Sequence, residues 1–212
     1  MVHKDRPPSN RYAALWKRND SLELLMPERF RPFLVLLILL VIGAILSNGG
    51  CMAKYPNQNP VGETFPTAHG ENLDKEPIEL PKAYMGKPAL YMVGYIQETQ
   101  FDLDRWTIGL TQVEFPAQVV EVPTIPGMFP SMFKGMIDNG MRSGIPAEDW
   151  AAVVTLYGKQ AKPVAEFTGN MNPRNGRILL LDADGVVRWF WDEGFSAKRL
   201  MELKKLAEDL DK

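Results

Sequence analysis

The sequence predicts an α/β fold with a central mixed sheet, closed by a C-terminal β-hairpin and helix and preceded by one N-terminal transmembrane helix. Three observations support this prediction. Residues 32–53 carry no charge, apolar runs of strand length alternate with helical patterns after Pro88, and Asp184-Gly185 separates the last two apolar runs. An Asp-Gly pair in that position is typical of a hairpin turn. The alternation predicts a mostly parallel sheet covered on both faces, with the hairpin at its antiparallel edge.

Composition narrows the class of protein. The chain has 212 residues, one cysteine, two histidines and a net charge of −2. A single cysteine excludes an internal disulfide and a CxxC motif, and two histidines leave no His-rich metal cluster. The charge provides no basic surface for nucleic acid. We therefore expect no nucleic-acid partner, no metal and no cofactor, and the oligomeric state is not predicted.

The N-terminal region predicts a membrane anchor. Residues 1–31 contain seven Lys or Arg against four acids, and the uncharged run at 32–53 is largely apolar. As a helix, that run would be about 33 Å long, close to the hydrocarbon thickness of about 30 Å. The positive-inside rule places residues 1–31 in the cytoplasm as a basic tail. We therefore predict a single-pass protein of the inner (cell) membrane, with its C-terminal domain on the outer, periplasmic face.

The only cysteine, Cys51, follows the apolar run and the small residues SNGG. This order resembles a bacterial lipoprotein signal, which makes Cys51 a candidate for lipidation. Two interpretations stay open: an uncleaved transmembrane anchor, or a cleaved signal with a lipid on Cys51. Residues 54–86 contain five prolines, which predicts an extended Pro-rich linker. The linker would join the membrane to a domain at residues 87–212.

The elements of that domain follow from the period of its apolar residues. We predict strands at 89–96, 117–122, 150–157, 178–182 and 186–191, and helices at 101–112, 129–141, 159–167 and after Ser196. Ser196 is a favourable N-cap, and the leucines that follow it form one helical face. Residues 178–181 are apolar on both sides, which indicates a central buried strand.

The element order and the motif LLLDADGVVRW, residues 179–189, resemble the thioredoxin-like superfamily. The unit at 150–168 resembles the insertion of its peroxiredoxin branch. That superfamily's chemistry needs a thiolate after the first long strand, stabilised by a helix N-terminus or a cation. The corresponding stretch here, residues 97–101, contains no cysteine, and Gly176 occupies the position that usually holds a cis-proline. The resemblance therefore implies the fold without its redox chemistry, and no catalytic residue is predicted.

A narrower resemblance covers residues 135–205. The runs GMRSGIP and NGRILLLDADGVVRW are similar to a family of mitochondrial ATP synthase assembly factors, whose client is the proton-channel subunit of the membrane sector. The residues that carry it are 141–146, Asp182, Gly185, Arg188 and Trp189. This resemblance implies an assembly-factor or chaperone role in ATP synthase biogenesis. That family works on the matrix side, whereas the anchor predicts the opposite side of the membrane here.

Seven residues are candidates for partner binding: Met132, Phe133, Met136, Arg142, Arg188, Trp189 and Trp191. The Met and Phe side chains form a stripe on the helix at 129–141, which is either an adaptable partner groove or an ordinary buried face. The tryptophans form either an exposed recognition patch or core packing under the last helix. The arginines either contact a ligand or are paired within the domain.

Together these features predict a membrane-tethered, redox-inactive protein of thioredoxin-like fold. We expect it to be an assembly or maturation factor for a membrane complex, with ATP synthase as the candidate complex, and not an enzyme. Its expected partners are the membrane and a client subunit. Two alternatives stay open: an envelope lipoprotein that binds a small ligand, and an atypical, thiol-independent oxidoreductase.

Overall fold

The computed structural model describes residues 54–127 and 133–211. The predicted basic tail at 1–31, the membrane segment at 32–53, Cys51 and Met132 lie outside these ranges and stay predictions. Within the described ranges, no helix combines the length and the apolar character that crossing a bilayer requires.

Seven strands and four helices make up the described part of the chain. The strands are β1 Ala68–Asn72, β2 Pro77–Leu80, β3 Ala89–Gly94, β4 Gln118–Ile125, β5 Val154–Tyr157, β6 Arg177–Leu181 and β7 Val187–Trp191. The helices are α1 Gln100–Gln112, α2 Lys134–Gly144, α3 Ala161–Thr168 and α4 Ala197–Leu210. Short 3-10 helices cover Lys82–Tyr84, Gln97–Thr99 and Ala147–Ala152. The strands form one sheet in the order β2-β1-β5-β4-β3-β6-β7.

The sheet is mixed, as predicted, but it is not mostly parallel. Only β3 with β4 and β4 with β5 run in parallel among the described strands. The pairs β1–β2, β1–β5, β3–β6 and β6–β7 are antiparallel. The prediction of a mostly parallel sheet is wrong for two reasons: β6 runs antiparallel to β3, and the unpredicted strands β1 and β2 add two antiparallel pairings at one side of the sheet.

The segment predicted as a Pro-rich linker, residues 54–86, belongs to the folded domain. Its two strands, β1 and β2, form a hairpin that extends the sheet beyond β5. Phe65, Ala68 and Leu80 from this segment are buried in the core. The linker prediction is therefore wrong, because the pairing of these short strands is set by tertiary contacts that a proline count does not reveal.

The sheet carries an apolar layer on each face. On one face, Phe65 and Tyr91 pack in a cluster with side chains of α3. On the other face, Met92, Trp106 and Leu203 belong to a cluster built on α1 and α4. All five residues of β6 are buried, as predicted, but the strand lies beside the edge strand β7 and not at the centre of the sheet.

Most predicted boundaries agree with the structure, and the third predicted strand is the exception. Ala147–Ala152 form a 3-10 helix, so that only Val154–Tyr157 is a strand. The predicted helix at 129–141 is described from Lys134 onward and runs to Gly144. Ser196 caps α4 as predicted, because its hydroxyl accepts a hydrogen bond of 3.4 Å from the backbone N–H of Arg199.

Candidate functional site

Three connections meet at one edge of the sheet, which we call the α1 edge. Val93 near the end of β3 pairs with Arg177, the first residue of β6, and Ile178 pairs with Trp191, the last residue of β7. The entry to α1, the loop 169–176 and the loop 192–196 therefore lie together. The α1 edge corresponds to the place where the thioredoxin-like resemblance implies a redox centre.

A cleft of about 440 Å³, the α1 cleft, opens at this edge. It is lined by Glu98, Phe101, Asp102, Arg105, Arg174, Asn175, Glu193, Gly194 and Phe195. The Phe101 side chain is 71% exposed. The charged groups of Glu98, Arg105, Arg174 and Glu193 form no ion pair with any described residue. The cleft therefore offers an exposed ring and four available charges, two of each sign.

Asp102 joins the three connections of the α1 edge. Its carboxyl group is buried, with 6% of the residue exposed. One oxygen, Oδ2, accepts a hydrogen bond of 2.9 Å from the backbone N–H of Gly176, and Oδ1 accepts one of 2.7 Å from that of Phe195. Because both oxygens are engaged by backbone amides, Asp102 acts as a clamp between α1 and two loops.

Gly176 occupies the position before β6 where the superfamily usually has a cis-proline. A Cβ atom at this position would collide with the side chain of Leu103. The close approach lets the backbone N–H of Gly176 reach Asp102. The glycine therefore serves the clamp, and a larger residue would require the Leu103 side chain to shift.

Arg177 holds the loop 169–176 from inside. The residue is fully buried, and burial lowers the pKa of its guanidinium. Its Nε donates to the carbonyl of Gly169 at 3.1 Å, and its Nη1 donates to the carbonyls of Asn172 and Asn175 at 2.8 and 2.7 Å. The guanidinium also lies 5.5 Å from the centre of the Tyr95 ring. Arg177 is not among the predicted site residues, although a charged residue at the start of the apolar run RILLL was a usable signal.

Hydroxyl groups complete this polar network. The hydroxyls of Tyr95 and Thr168 are hydrogen-bonded at 2.6 Å, and Thr99 donates to the carbonyl of Pro173 at 2.6 Å. Burial raises the pKa of Tyr95 to about 12. The phenol therefore stays neutral and connects the end of β3 to α3, while Thr99 connects the entry of α1 to the loop 169–176.

Arg188, one of the predicted partner-binding residues, is engaged within the domain. Arg188 Nε donates to Asp182 at 2.6 Å, and the Asp182 carboxylate also accepts hydrogen bonds from the backbone N–H groups of Asp184 and Val186. Partial burial raises the Asp182 pKa, but these hydrogen bonds outweigh it and lower that pKa overall. Arg188 thus stabilises the β6–β7 turn by pairing inside the fold.

Both predicted tryptophans pack under the last helix. The Trp189 ring meets Trp106 edge to face at 6.2 Å. Trp191 donates from its indole nitrogen to the carbonyl of Gly194 at 2.6 Å, and the Arg199 guanidinium lies 4.3 Å from its ring centre. These contacts correspond to core packing, the second of the two alternatives for this pair.

The stripe on α2 differs from an ordinary buried face. Phe133 and Met136 are 51% and 67% exposed, so the buried-face alternative is wrong for these two residues. The helix is attached by polar contacts instead: Asp138 accepts a hydrogen bond from the Tyr157 hydroxyl at 2.7 Å, and Lys134 donates one to Glu71 of β1 at 2.8 Å. Apolar side chains on this helix are therefore free to face outward.

Arg142 is also held within the domain. Its Nε donates to the carbonyl of Leu73 at 2.6 Å, and its guanidinium lies 5.8 Å from the Trp150 ring centre. Arg142 lies on α2, whereas Arg188 lies beside the β6–β7 turn, so the structure does not bring the two predicted arginines into one site. In the described residues, no group of three or more His, Cys, Asp or Glu is arranged to hold a metal ion.

Comparisons with known proteins define the class of fold. No family model matches the chain, and no curated protein matches it. A SCO1/SenC family lipoprotein from Bacillus anthracis has a TM-score of 0.51 at 15% identity, covering 74% of this chain and all (100%) of that chain. BsSco, a member of the Sco family of cytochrome c oxidase assembly proteins, has a TM-score of 0.50 at 14% identity, covering 73% of this chain and 98% of its own.

These likenesses confirm the predicted thioredoxin-like fold. At such low identities they show the fold alone. The narrower resemblance to ATP synthase assembly factors stays a prediction.

Proposed function

We propose that this chain is a membrane-tethered, redox-inactive member of the thioredoxin-like fold class that acts as an assembly or maturation factor for a membrane complex. The α1 cleft carries this proposal. At the place where the fold's redox chemistry needs a thiolate, residues 97–101 contain no cysteine, and no cysteine occurs after Cys51. The buried acid of the cleft, Asp102, is occupied by two backbone amides. Without a thiolate or a free buried acid, the cleft is a surface suited to binding a partner.

The lining of the cleft favours a polypeptide client. An exposed aromatic ring beside unpaired charges of both signs is the pattern of a protein-binding surface, with an apolar anchor and a polar rim. Phe101 supplies the anchor, and Arg105 and Glu193 supply the rim. The likeness to BsSco, itself from a family of cytochrome c oxidase assembly proteins, supports a membrane complex as the client's destination. The resemblance at GMRSGIP makes ATP synthase the specific candidate.

Co-purification of the full chain from solubilised membranes tests this proposal. We would compare the wild type, the cleft variant Phe101→Ala with Arg105→Glu, and the control Ile108→Ala. Ile108 is 58% exposed on the same helix but does not line the cleft. We expect a subunit of a membrane complex to co-purify with the wild type and the control, and to be lost from the cleft variant. Normal assembly of every membrane complex in a deletion strain, with no subunit recovered, would refute the proposal.

An enzyme assay distinguishes the proposed binding role from the alternative of a thiol-independent oxidoreductase. A thiol-independent oxidoreductase would turn over peroxide or a disulfide with no cysteine in the domain. We expect no turnover by the full chain. The phenol of Tyr95 is held neutral by a pKa of about 12 and provides no substitute nucleophile. Turnover that survives Cys51→Ala would establish the enzyme and exclude the binding role.

A further inference from the structure

The first described residues, 54–60, lie against the domain as a strap. The backbone of Tyr55 pairs with Asn170: the Tyr55 N–H donates to Asn170 Oδ1 at 2.8 Å, and the Asn170 N–H donates to the Tyr55 carbonyl at 3.0 Å. The N–H of Gln58 donates to the carbonyl of Thr168 at 3.3 Å. The strap is therefore bound to the end of α3 and to the loop 169–176.

Asn57 fixes the strap to the α1 edge. Its Oδ1 accepts hydrogen bonds from the Met171 N–H at 2.9 Å and from Arg177 Nη2 at 3.2 Å, and its Nδ2 donates to Asp192 at 2.8 Å. Gly169 has a φ of +71°, and a Cβ atom there would collide with the strap backbone at Asn57. The close fit and the shared hydrogen bonds make the strap an integral part of this edge.

The short chain before the strap limits how far the α1 edge can lie from the membrane. The predicted tether is either a transmembrane segment that ends with the uncharged run at residue 53 or a lipid on Cys51. Even from Cys51, only four peptide units lead to Tyr55. Fully extended, they span about 14 Å. If either proposed tether is present, this chain length would hold the Tyr55–Asn170 pair within that distance of its end.

The side chains beside the strap suit a lipid surface. Met171 is 51% exposed, and Lys54 and Arg174 are exposed without an ion pair to any described residue. Apolar side chains enter the interfacial region of a bilayer, while Lys and Arg keep their charges at the level of the phosphates. We propose that the α1 edge rests on the bilayer, with Met171 and Arg174 in contact with phospholipid. This rests on the tether of the proposed function, and it means that the α1 cleft opens beside the membrane surface.

Photo-crosslinking in the native membrane tests this orientation. A genetically encoded benzophenone amino acid replaces Met171 in the full chain, and Met85 in a matched control. Met85 is 47% exposed and lies near Gly185, at the opposite end of β6 and β7. With radiolabelled phospholipid, we expect a lipid adduct at position 171 and none above background at 85. Equal labelling at both positions, no adduct at 171, or a polypeptide adduct instead of lipid would overturn the proposal.

A longer tether provides an independent variant that leaves the folded residues unchanged. Inserting about ten Gly and Ser residues after Ala53 adds about 35 Å of reach. We expect loss of the lipid adduct at position 171, and an undiminished adduct would overturn the proposal. A carbonate wash distinguishes failure of the proposed tether from failure of the proposed orientation. Release of the wild type from membranes contradicts the tether, and hence both proposals, whereas a retained chain without the adduct contradicts only the orientation.

Discussion

The Asp102 clamp gives the sharpest prediction about the architecture of the cleft. Asp102→Ala removes the acceptor of two backbone amides, the buried one of Gly176 and the half-buried one of Phe195. Each unsatisfied donor costs about 1–3 kcal/mol, so we expect a loss of about 2–6 kcal/mol in the free energy of unfolding. Asp102→Asn should lose about half as much, because the amide oxygen keeps one hydrogen bond while its NH₂ group faces the second donor.

Urea unfolding of the full chain in detergent, followed by tryptophan fluorescence, measures this loss. The buried Trp106 on the same helix reports the transition. Asp104→Ala is the matched control, because Asp104 is an exposed acid of α1 whose hydrogen bond comes only from the Gln100 side chain. We expect the control to change stability by less than about 0.5 kcal/mol. If Asp102→Ala unfolds at the same urea concentration as the control, the clamp does not hold the edge together.

Three further changes test the polar groups around the fold. Arg177→Met should destabilise the chain by about 3 kcal/mol in urea unfolding, because three backbone carbonyls and Asn57 lose their donor. Asp182 has a lowered pKa, so its contribution is present above its unfolded value of 3.8 and lost as the pH falls below it. Asp182→Asn should therefore flatten the fall in the urea midpoint as the pH drops below about 3.8. Burial and the nearby Asp104 raise the pKa of Glu121 to about 7, so stability should fall as the pH rises from 4.5 towards that value. Glu121→Gln should remove this fall, and an unchanged pH profile in either variant would contradict its assignment.

The parts of the fold with strong local patterns could be predicted from sequence. β3 and β6 are continuous apolar runs, and Asp184-Gly185 marks the turn between β6 and β7. β1 and β2 could not be predicted in this way. The sequence of β1, AHGEN, has no apolar alternation, and its ends are buried only because it pairs with β2 and β5. Pairing of this kind is a tertiary effect that overrides local propensity.

The location of the candidate site could be predicted from the sequence, but the hydrogen-bond partners within it could not. The stretch at 97–101 was identified from the resemblance, and the missing cysteine could be read directly. The roles of Asp102 and Arg177 could not be read, because their partners are distant in the chain. Asp102 and Gly176 are 74 residues apart, and Arg177 and Asn57 are 120 apart. The exposure of Phe133 and Met136 was equally hidden, since an apolar stripe at helical spacing has the same sequence on a buried and on an exposed face.

The buried polar groups of the α1 edge indicate that the loops around the cleft must be held in one defined arrangement. A buried charge such as the Arg177 guanidinium is costly unless each of its donors is satisfied, and apolar groups of similar volume often give equal stability. Stability alone therefore does not account for placing Arg177 and the Asp102 carboxyl group at the same edge. Hydrogen bonds are directional, so these two groups fix the loops around the cleft in one arrangement where apolar packing would leave several. A catalytic centre needs that definition for its chemistry. A binding surface needs it too, because a preorganised loop loses less entropy when a partner docks.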